Sequence, residues 1–171
     1  MGLTPKYTTK DVERIIAGGV KRIENDIIKI LEYCGEQFVS EARQALNISA
    51  VFPKGDYSDR TTNLRSSIGY FVVSNGDIVS SGLKGTSKGM TAAKRAIGGI
   101  PKGGYQLIGV AGMEYASYVE SMGYNVITSQ QDTVLVDLKD LLKDYQRRMN
   151  DKGLALDYDI VGSLTKGMYR S

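Results

Sequence analysis

The chain has 171 residues, a hydrophobic share of 42 % and a formal net charge of +3, which is the size and composition of one folded domain. It contains no histidine, which excludes nucleophilic triads that need an imidazole base and zinc sites built on two histidines. Its single cysteine, Cys34, excludes an internal disulfide. These exclusions disfavour an enzyme and favour a binding or structural protein.

A long amphipathic helix is predicted near the N-terminus. Thr8-Thr9 precede a pattern in which apolar side chains recur every three or four residues from Val12 to Leu46. Gly18-Gly19 is expected to break or bend this helix, because each glycine costs about 1 kcal/mol relative to alanine. Cys34 lies on the apolar stripe and is expected to be a buried, unreactive thiol.

A short helical turn and a hairpin follow. After a loop, the turn Asn63-Leu64-Arg65 is predicted, capped by Thr61 or Thr62. Residues 68–73 are β-branched and aromatic, as in a strand, and residues 78–80 supply the returning strand. Between them stands Asn75-Gly76, the strongest short hairpin signal.

The C-terminal half mixes strand and helix patterns. A third strand is predicted over 105–110, a short amphipathic helix over 115–122, and further strands over 124–127 and 133–136. Asp137 is expected to cap a final helix that ends near Met149, after which periodicity stops. The sequence therefore predicts an α+β domain over residues 1–149: a long N-terminal helix packed on a small, largely antiparallel sheet, with a C-terminal helix and an extended arm over 150–171.

The positive charge is concentrated in one glycine-rich segment, residues 82–104, inserted in this domain. It contains no acidic residue and five basic ones: Lys84, Lys88, Lys94, Arg95 and Lys102. Seven glycines in the same segment predict a flexible loop. Two interpretations remain open: a solvated surface loop, or a loop that contacts a polyanion such as nucleic acid.

No motif supplies catalysis or holds a cofactor. Residues 82–89 resemble a phosphate-binding loop in glycine content but lack the Gly-Lys-Ser/Thr ending. Ser-x-x-Lys occurs twice, at Ser81 and Ser163, but matches this short arise by chance and the supporting elements are missing. Asp56 and Asp59 offer too few oxygen ligands for a hard cation. We expect no catalytic, cofactor or metal site.

Two segments together resemble a known family. Residues 59–68, Asp-Arg-Thr-Thr-Asn-Leu-Arg-Ser-Ser-Ile, resemble the Thr-Gly-Asn-Leu-Arg-x-Ser-Ile stretch of tailed-bacteriophage head–tail joining proteins, the neck or tail-completion proteins related to minor tail components. Residues 112–120, Gly-Met-Glu-Tyr-Ala-Ser-Tyr-Val-Glu, are similar to the Tyr-Ala-x-Tyr-Val-Glu signature of the same family. The similarity covers roughly residues 10–149, and its motif residues are Asn63, Leu64, Arg65, Tyr115, Tyr118 and Glu120.

The resemblance implies a virion structural protein that forms a homo-oligomeric ring, six-fold in most members, at the head–tail junction. Its partners would be the portal-side or head-closure protein and the tail-side protein, with phage DNA passing through the lumen. The N-terminus has no apolar core like that of a signal peptide, so we expect assembly in the host cytoplasm before incorporation in the virion. The alternative is a cytoplasmic accessory protein that binds nucleic acid without sequence preference through residues 82–104.

Overall fold

The computed structural model describes residues 6–48, 63–83, 87, 91, 103–112 and 128–158. The fold is α+β, as predicted. Its elements in chain order are α1 (Thr9–Ile48), α2 (Asn63–Ser67), β1 (Ile68–Ser74), β2 (Asp77–Ser81), β3 (Tyr105–Ala111) and α3 (Thr128–Asn150). The predicted helix over 115–122 and the predicted strand over 124–127 lie outside the described residues.

Helix α1 is continuous over 40 residues, or about 60 Å. Thr8 caps it: Thr8 Oγ1 donates to Asp11 Oδ2 at 2.7 Å, and Asp11 N donates back to Thr8 Oγ1 at 3.3 Å. The expected break at Gly18-Gly19 is wrong. Helix formation is cooperative, so the helical segments on both sides carry the two glycines, and no proline removes a hydrogen bond there.

The sheet has the strand order β2-β1-β3, and both pairings are antiparallel. The hairpin between β1 and β2 forms at the predicted pair, where Asn75 and Gly76 both have positive φ, 53° and 95°. Positive φ at both central residues is the geometry that Asn-Gly favours. Strand β3 pairs with the whole of β1, from Ile68 opposite Ala111 to Ser74 opposite Tyr105.

The main core lies between α1 and one face of the sheet. Its most buried members are Leu31, Cys34, Phe38, Val39, Ala42, Leu64, Ile68, Tyr70, Val72 and Val134. Cys34 is 1 % exposed, which confirms its predicted burial. A smaller cluster around Phe71 and Val110 lies on the opposite face of the sheet.

Helix α3 corrects two predictions. The strand over 133–136 is wrong, and so is the cap at Asp137, because both lie inside a helix that begins at Thr128. Val134 is buried in the core, whereas Val136 is 57 % exposed. In a strand these two side chains would share one face, but in a helix they point to different sides, as observed here. Contacts from Val134 with the core and from Tyr145 Oη, which donates to Asp26 Oδ2 at 3.1 Å, place α3 antiparallel to α1.

The chain turns back after α3. Gly153 has a φ of 76°, and Leu154 N donates to Met149 O at 3.0 Å, which closes the helix end. Gln146 Nε2 then donates to Leu156 O at 2.6 Å. The first residues of the predicted arm therefore contact α3, and residues 159–171 lie outside the described residues.

Candidate assembly surface

The N-terminal part of α1 extends beyond the rest of the described fold. Residues 6–22 are exposed, except for the half-buried Asp11. Tyr145 contacts Asp26, and α3 ends five residues later at Asn150, about 7.5 Å further along its axis. Roughly the first 18 Å of α1 therefore has no helical neighbour among the described elements.

This extension carries large apolar side chains on one side. At 100° per residue, five residues fall within about 140° of the helix circumference. We call them the exposed face of α1: Val12, Ile15, Ile16, Gly19 and Val20. The four apolar side chains among them are between 44 % and 61 % exposed. Val12, Ile16 and Val20 belong to the predicted apolar stripe, which is buried further along α1. Ile15 and Gly19 were not part of that prediction.

The two adjacent glycines in the extension have no packing role within the described fold. A Cβ added at Gly18 or at Gly19 meets nothing within 4 Å. Gly19 lies on the exposed face, whereas Gly18 lies on the opposite side of the helix. An exposed glycine permits the close approach of another backbone, and only at Gly19 does that open position lie among the exposed apolar side chains.

The described residues 63–68 of the first resembling segment contribute to the core. Leu64 and Ile68 are fully buried, and Ser67 Oγ donates to Leu64 O at 2.7 Å, which fixes the turn from α2 into β1. The backbone of Asn63 begins α2. Tyr115, Tyr118 and Glu120 of the second motif lie outside the described residues.

Arg65, the remaining described motif residue, lines an open cavity of about 350 Å³ beside the C-terminal part of α1. Arg43 lines the same cavity, and its Nη2 donates to Ile68 O at 2.9 Å. Burial lowers the pKa of Arg43, and the positive charge of Arg65 lowers it further, while Glu36 opposes both effects. Sequence reasoning missed Arg43, because no local pattern brings residues 43 and 65 together.

The basic segment is fixed at its described ends. Gly82 N donates to Tyr70 O at 3.0 Å, and Gly104 O accepts from Asn75 N at 2.9 Å. Tyr70 and Asn75 lie near opposite ends of β1, so the connection links opposite ends of the sheet. Lys84, Lys88, Lys94, Arg95 and Lys102 lie outside the described residues. Ser87 and Thr91 are helical in backbone conformation, one turn apart, where the sequence predicted loop.

Within the described parts of the chain, no group of three or more Cys, Asp or Glu side chains could hold a metal ion. The thiol of Cys34 has its pKa raised to about 11 by burial and, secondarily, by the charge of Asp137. None of the described helices is long and apolar enough to cross a membrane.

Comparison of the chain with protein-family models, with curated protein sequences and with solved structures found no match in any of the three.

Proposed function

We propose that this chain is a structural subunit of the head–tail junction of a tailed phage or prophage, where copies assemble into a closed ring around the DNA path. Its neighbours would be the portal-side or head-closure protein above and the tail-side protein below. No catalytic step, cofactor or metal enters this function.

The observation that carries the proposal is the exposed face of α1. Ile15 and Ile16 are each about 60 % exposed on a helix that extends past its own domain. Apolar side chains grouped on one exposed helix face are typical of a surface that another protein covers. In a ring, the same surface on every copy meets a second surface of the next copy, so one repeated contact covers all of these faces.

The motif resemblance supplies the identity of the assembly. In this fold Leu64 of the first motif and Ile68 at the end of the same segment are core residues, so the segment maintains the turn that joins α2 to β1. A motif that encodes a packing feature of the subunit accounts for the resemblance without any catalytic role. The exposed face, in contrast, is where the chain can contact its neighbours.

A matched pair of charge substitutions tests the assembly. Ile16→Lys places a charge within the exposed face, and Ala17→Lys places the same charge about 100° away on the same exposed turn. Both positions are exposed, so we expect each variant to keep its unfolding free energy within about 0.5 kcal/mol of wild type. Native mass spectrometry should show closed oligomers for wild type and Ala17→Lys, and smaller species for Ile16→Lys.

These measurements are made on the chain alone and together with candidate portal-side and tail-side proteins. A chain that stays monomeric alone, with its partners and in assembled particles contradicts the proposal. Equal assembly by Ile16→Lys and Ala17→Lys would remove the exposed face from the interface.

The alternative, a nucleic-acid-binding accessory protein, is separated by DNA binding. A ring subunit should bind DNA weakly and without sequence preference, whereas an accessory protein should bind tightly as a monomer or dimer. If all five basic residues of segment 82–104 contact phosphates, the slope of log affinity against log salt is about −4.5. Changing all five to glutamine should flatten that slope and leave the ring intact if they face the lumen. Ring loss would instead assign them to a subunit contact.

A further inference from the structure

The N-terminal extension of α1 has a second side that points away from the exposed face. Lys10, Arg14 and Lys21 fall within about 40° of the helix circumference, centred about 170° from the middle of the exposed face. All three residues are exposed. They span about 16 Å along the helix axis at 1.5 Å per residue. We call these three residues the basic face of α1.

The cations of the basic face are available to a ligand. Among the described residues, neither lysine forms an ion pair. Arg14 Nη2 donates to Asp11 Oδ1 at 3.1 Å, but the Arg14 side chain is 81 % exposed, and such a surface pair contributes little to stability. The other carboxylate oxygen of Asp11 is held by Thr8 in the helix cap.

The composition of the basic face favours a nucleic acid over a protein as its partner. Between Arg14 and Lys21 its surface is formed by Ala17 and Gly18, and a Cβ added at Gly18 meets nothing within 4 Å. No apolar side chain larger than that of alanine stands between the cations. A protein interface has apolar or aromatic side chains at its centre, whereas a phosphate backbone is bound by cations and hydrogen-bond donors alone.

A membrane surface fits the extension less well. A helix that lies on an anionic bilayer buries its apolar side, and the cations that reach the headgroups lie beside that side. Here carboxylates lie beside the exposed face, Asp11 about 110° from its middle on one side and Glu13 about 90° on the other. The basic face points in the opposite direction, so one bilayer cannot contact both faces at once.

We propose that the basic face of α1 binds the phosphate backbone of duplex DNA. This inference rests on the proposed function, in which the exposed face contacts the next copy and the basic face, on the other side of the same helix, points into the lumen. Asp11 and Glu13 each lie about 80° from the middle of the basic face, so the three cations are nearer to the phosphates than either carboxylate. Contacts of this kind fix position without reading base sequence.

The salt dependence of DNA binding tests the basic face. Full-length wild type is compared with a triple variant on α1: Lys10→Gln, Arg14→Gln and Lys21→Gln. A matched triple variant on α3 removes the same residue types: Lys139→Gln, Lys143→Gln and Arg147→Gln. These α3 residues are also exposed, but carboxylates accompany them, since Lys143 pairs with Asp140 and Arg147 with Asp144. Fluorescence anisotropy of a labelled duplex between about 50 and 200 mM salt gives each affinity.

The basic face should contribute a defined part of the salt slope. Each subunit whose three cations all reach phosphates contributes about −2.7 to the slope of log affinity against log salt. Across this salt range, wild type should therefore lose about 40-fold more affinity than the α1 variant, and the α3 variant should follow wild type. Ala17→Lys adds a cation beside Arg14 and Lys21 and should steepen the slope by up to about 0.9.

Native mass spectrometry and circular dichroism of the same samples separate the outcomes. Normal rings with an unchanged slope in the α1 variant, or equal flattening by both triple variants, overturn the DNA contact and leave the proposed function standing. A slope that the α1 variant alone flattens, in a chain that never assembles, supports the DNA contact and contradicts the ring.

Two other partners have distinct signatures. Loss of the ring in the α1 variant but not in the α3 variant assigns the basic face to a protein contact and overturns the proposal. Tighter binding of wild type to phosphatidylserine vesicles than to duplex DNA, lost in the α1 variant, overturns it in favour of a membrane. If the α1 variant does not fold, Ala17→Lys decides: a steeper slope supports the DNA contact, and an unchanged slope overturns it.

Discussion

Replacing Gly35 with alanine should destabilise this protein, although alanine is the better helix former. Gly35 lies on α1 directly against the ring of Tyr70, where an added Cβ would stand 2.7 Å from Cε2. The ring cannot move away, because Gly82 lies close to its other side: a Cβ built at Gly82 would stand 2.6 Å from Cζ. Tyr70 is 3 % exposed and donates to Glu36 at 3.2 Å, so its position is fixed at the hydroxyl as well.

The magnitude follows from two opposed effects. Alanine stabilises a helix interior by about 1 kcal/mol relative to glycine. An extra methyl group in a close-packed core costs about 1–3 kcal/mol, and a ring held on both sides places Gly35→Ala toward the upper end of that range. The net loss is about 1–2 kcal/mol, which lowers the Tm of a domain this size by about 3–6 °C.

Thermal unfolding followed by circular dichroism at low protein concentration measures this change. Gly18→Ala is the control, since it lies on the same helix with nothing within 4 Å, and should raise the Tm by about 2–4 °C. In a Tyr70→Leu background the ring is absent, and Gly35→Ala should no longer destabilise. A rise in Tm for Gly35→Ala equal to that for Gly18→Ala would refute the close packing of α1 on β1.

Three other predictions concern the buried groups. The thiol of Cys34, with a pKa of about 11, is only about 0.1 % thiolate at pH 8. Iodoacetamide should therefore alkylate Cys34 at least 100-fold more slowly in the native chain than in the urea-unfolded chain, as measured by mass spectrometry. Burial and the nearby carboxylate of Glu36 raise the pKa of Tyr70 from 10 to about 12. The stability that Tyr70 contributes is therefore complete below pH 10 and is lost as the pH rises toward 12, so Tyr70→Phe should move the midpoint of alkaline unfolding upward. Phe38→Ala should cost about 3–5 kcal/mol in urea unfolding, because Phe38 fills the contact between α1 and Gly109, whereas the exposed Tyr33→Ala should cost less than about 1 kcal/mol.

Features encoded by neighbouring residues were predictable from the sequence. Asn75-Gly76 specifies the hairpin because its two residues adopt positive φ with little strain. The three described strands overlap the strands predicted over 68–73, 78–80 and 105–110. The apolar stripe of α1 was equally predictable, because apolar residues recur every three or four positions along the whole helix.

Features that depend on tertiary contacts were not predictable. Thr133–Val136 has a strand-like composition, but it lies inside α3, where Val134 joins the core that α1 residues also form. The Arg43–Arg65 cavity joins residues of two elements separated by 22 positions, and no periodicity records that distance. Only the tertiary fold brings Arg43 and Arg65 to the same cavity.

The spacing of the α1 stripe links the fold to the proposed assembly. Its apolar positions repeat every 11 residues, which is three turns at 3.67 residues per turn, so they stay on one side of a straight helix. The three series are Val12, Ile23 and Cys34; Ile16, Ile27 and Phe38; Val20, Leu31 and Ala42. The last member of each series is buried in the domain, whereas the first is about half exposed or more.

A helix that served only to cover the sheet would need no apolar side chains beyond the end of α3. Exposed valine and isoleucine are poor helix formers compared with alanine, and glycine at position 19 is poorer still. Local stability therefore does not account for Val12, Ile16, Gly19 and Val20, whereas a contact with a neighbouring subunit accounts for all four.

The substitution Gly19→Ala distinguishes these two explanations. Compared with Gly18→Ala, it should give the same gain in Tm for the dilute chain, since both positions are open. It should weaken the oligomer where Gly18→Ala does not, since only residue 19 faces the contact, and equal oligomer stability in the two variants would contradict that contact.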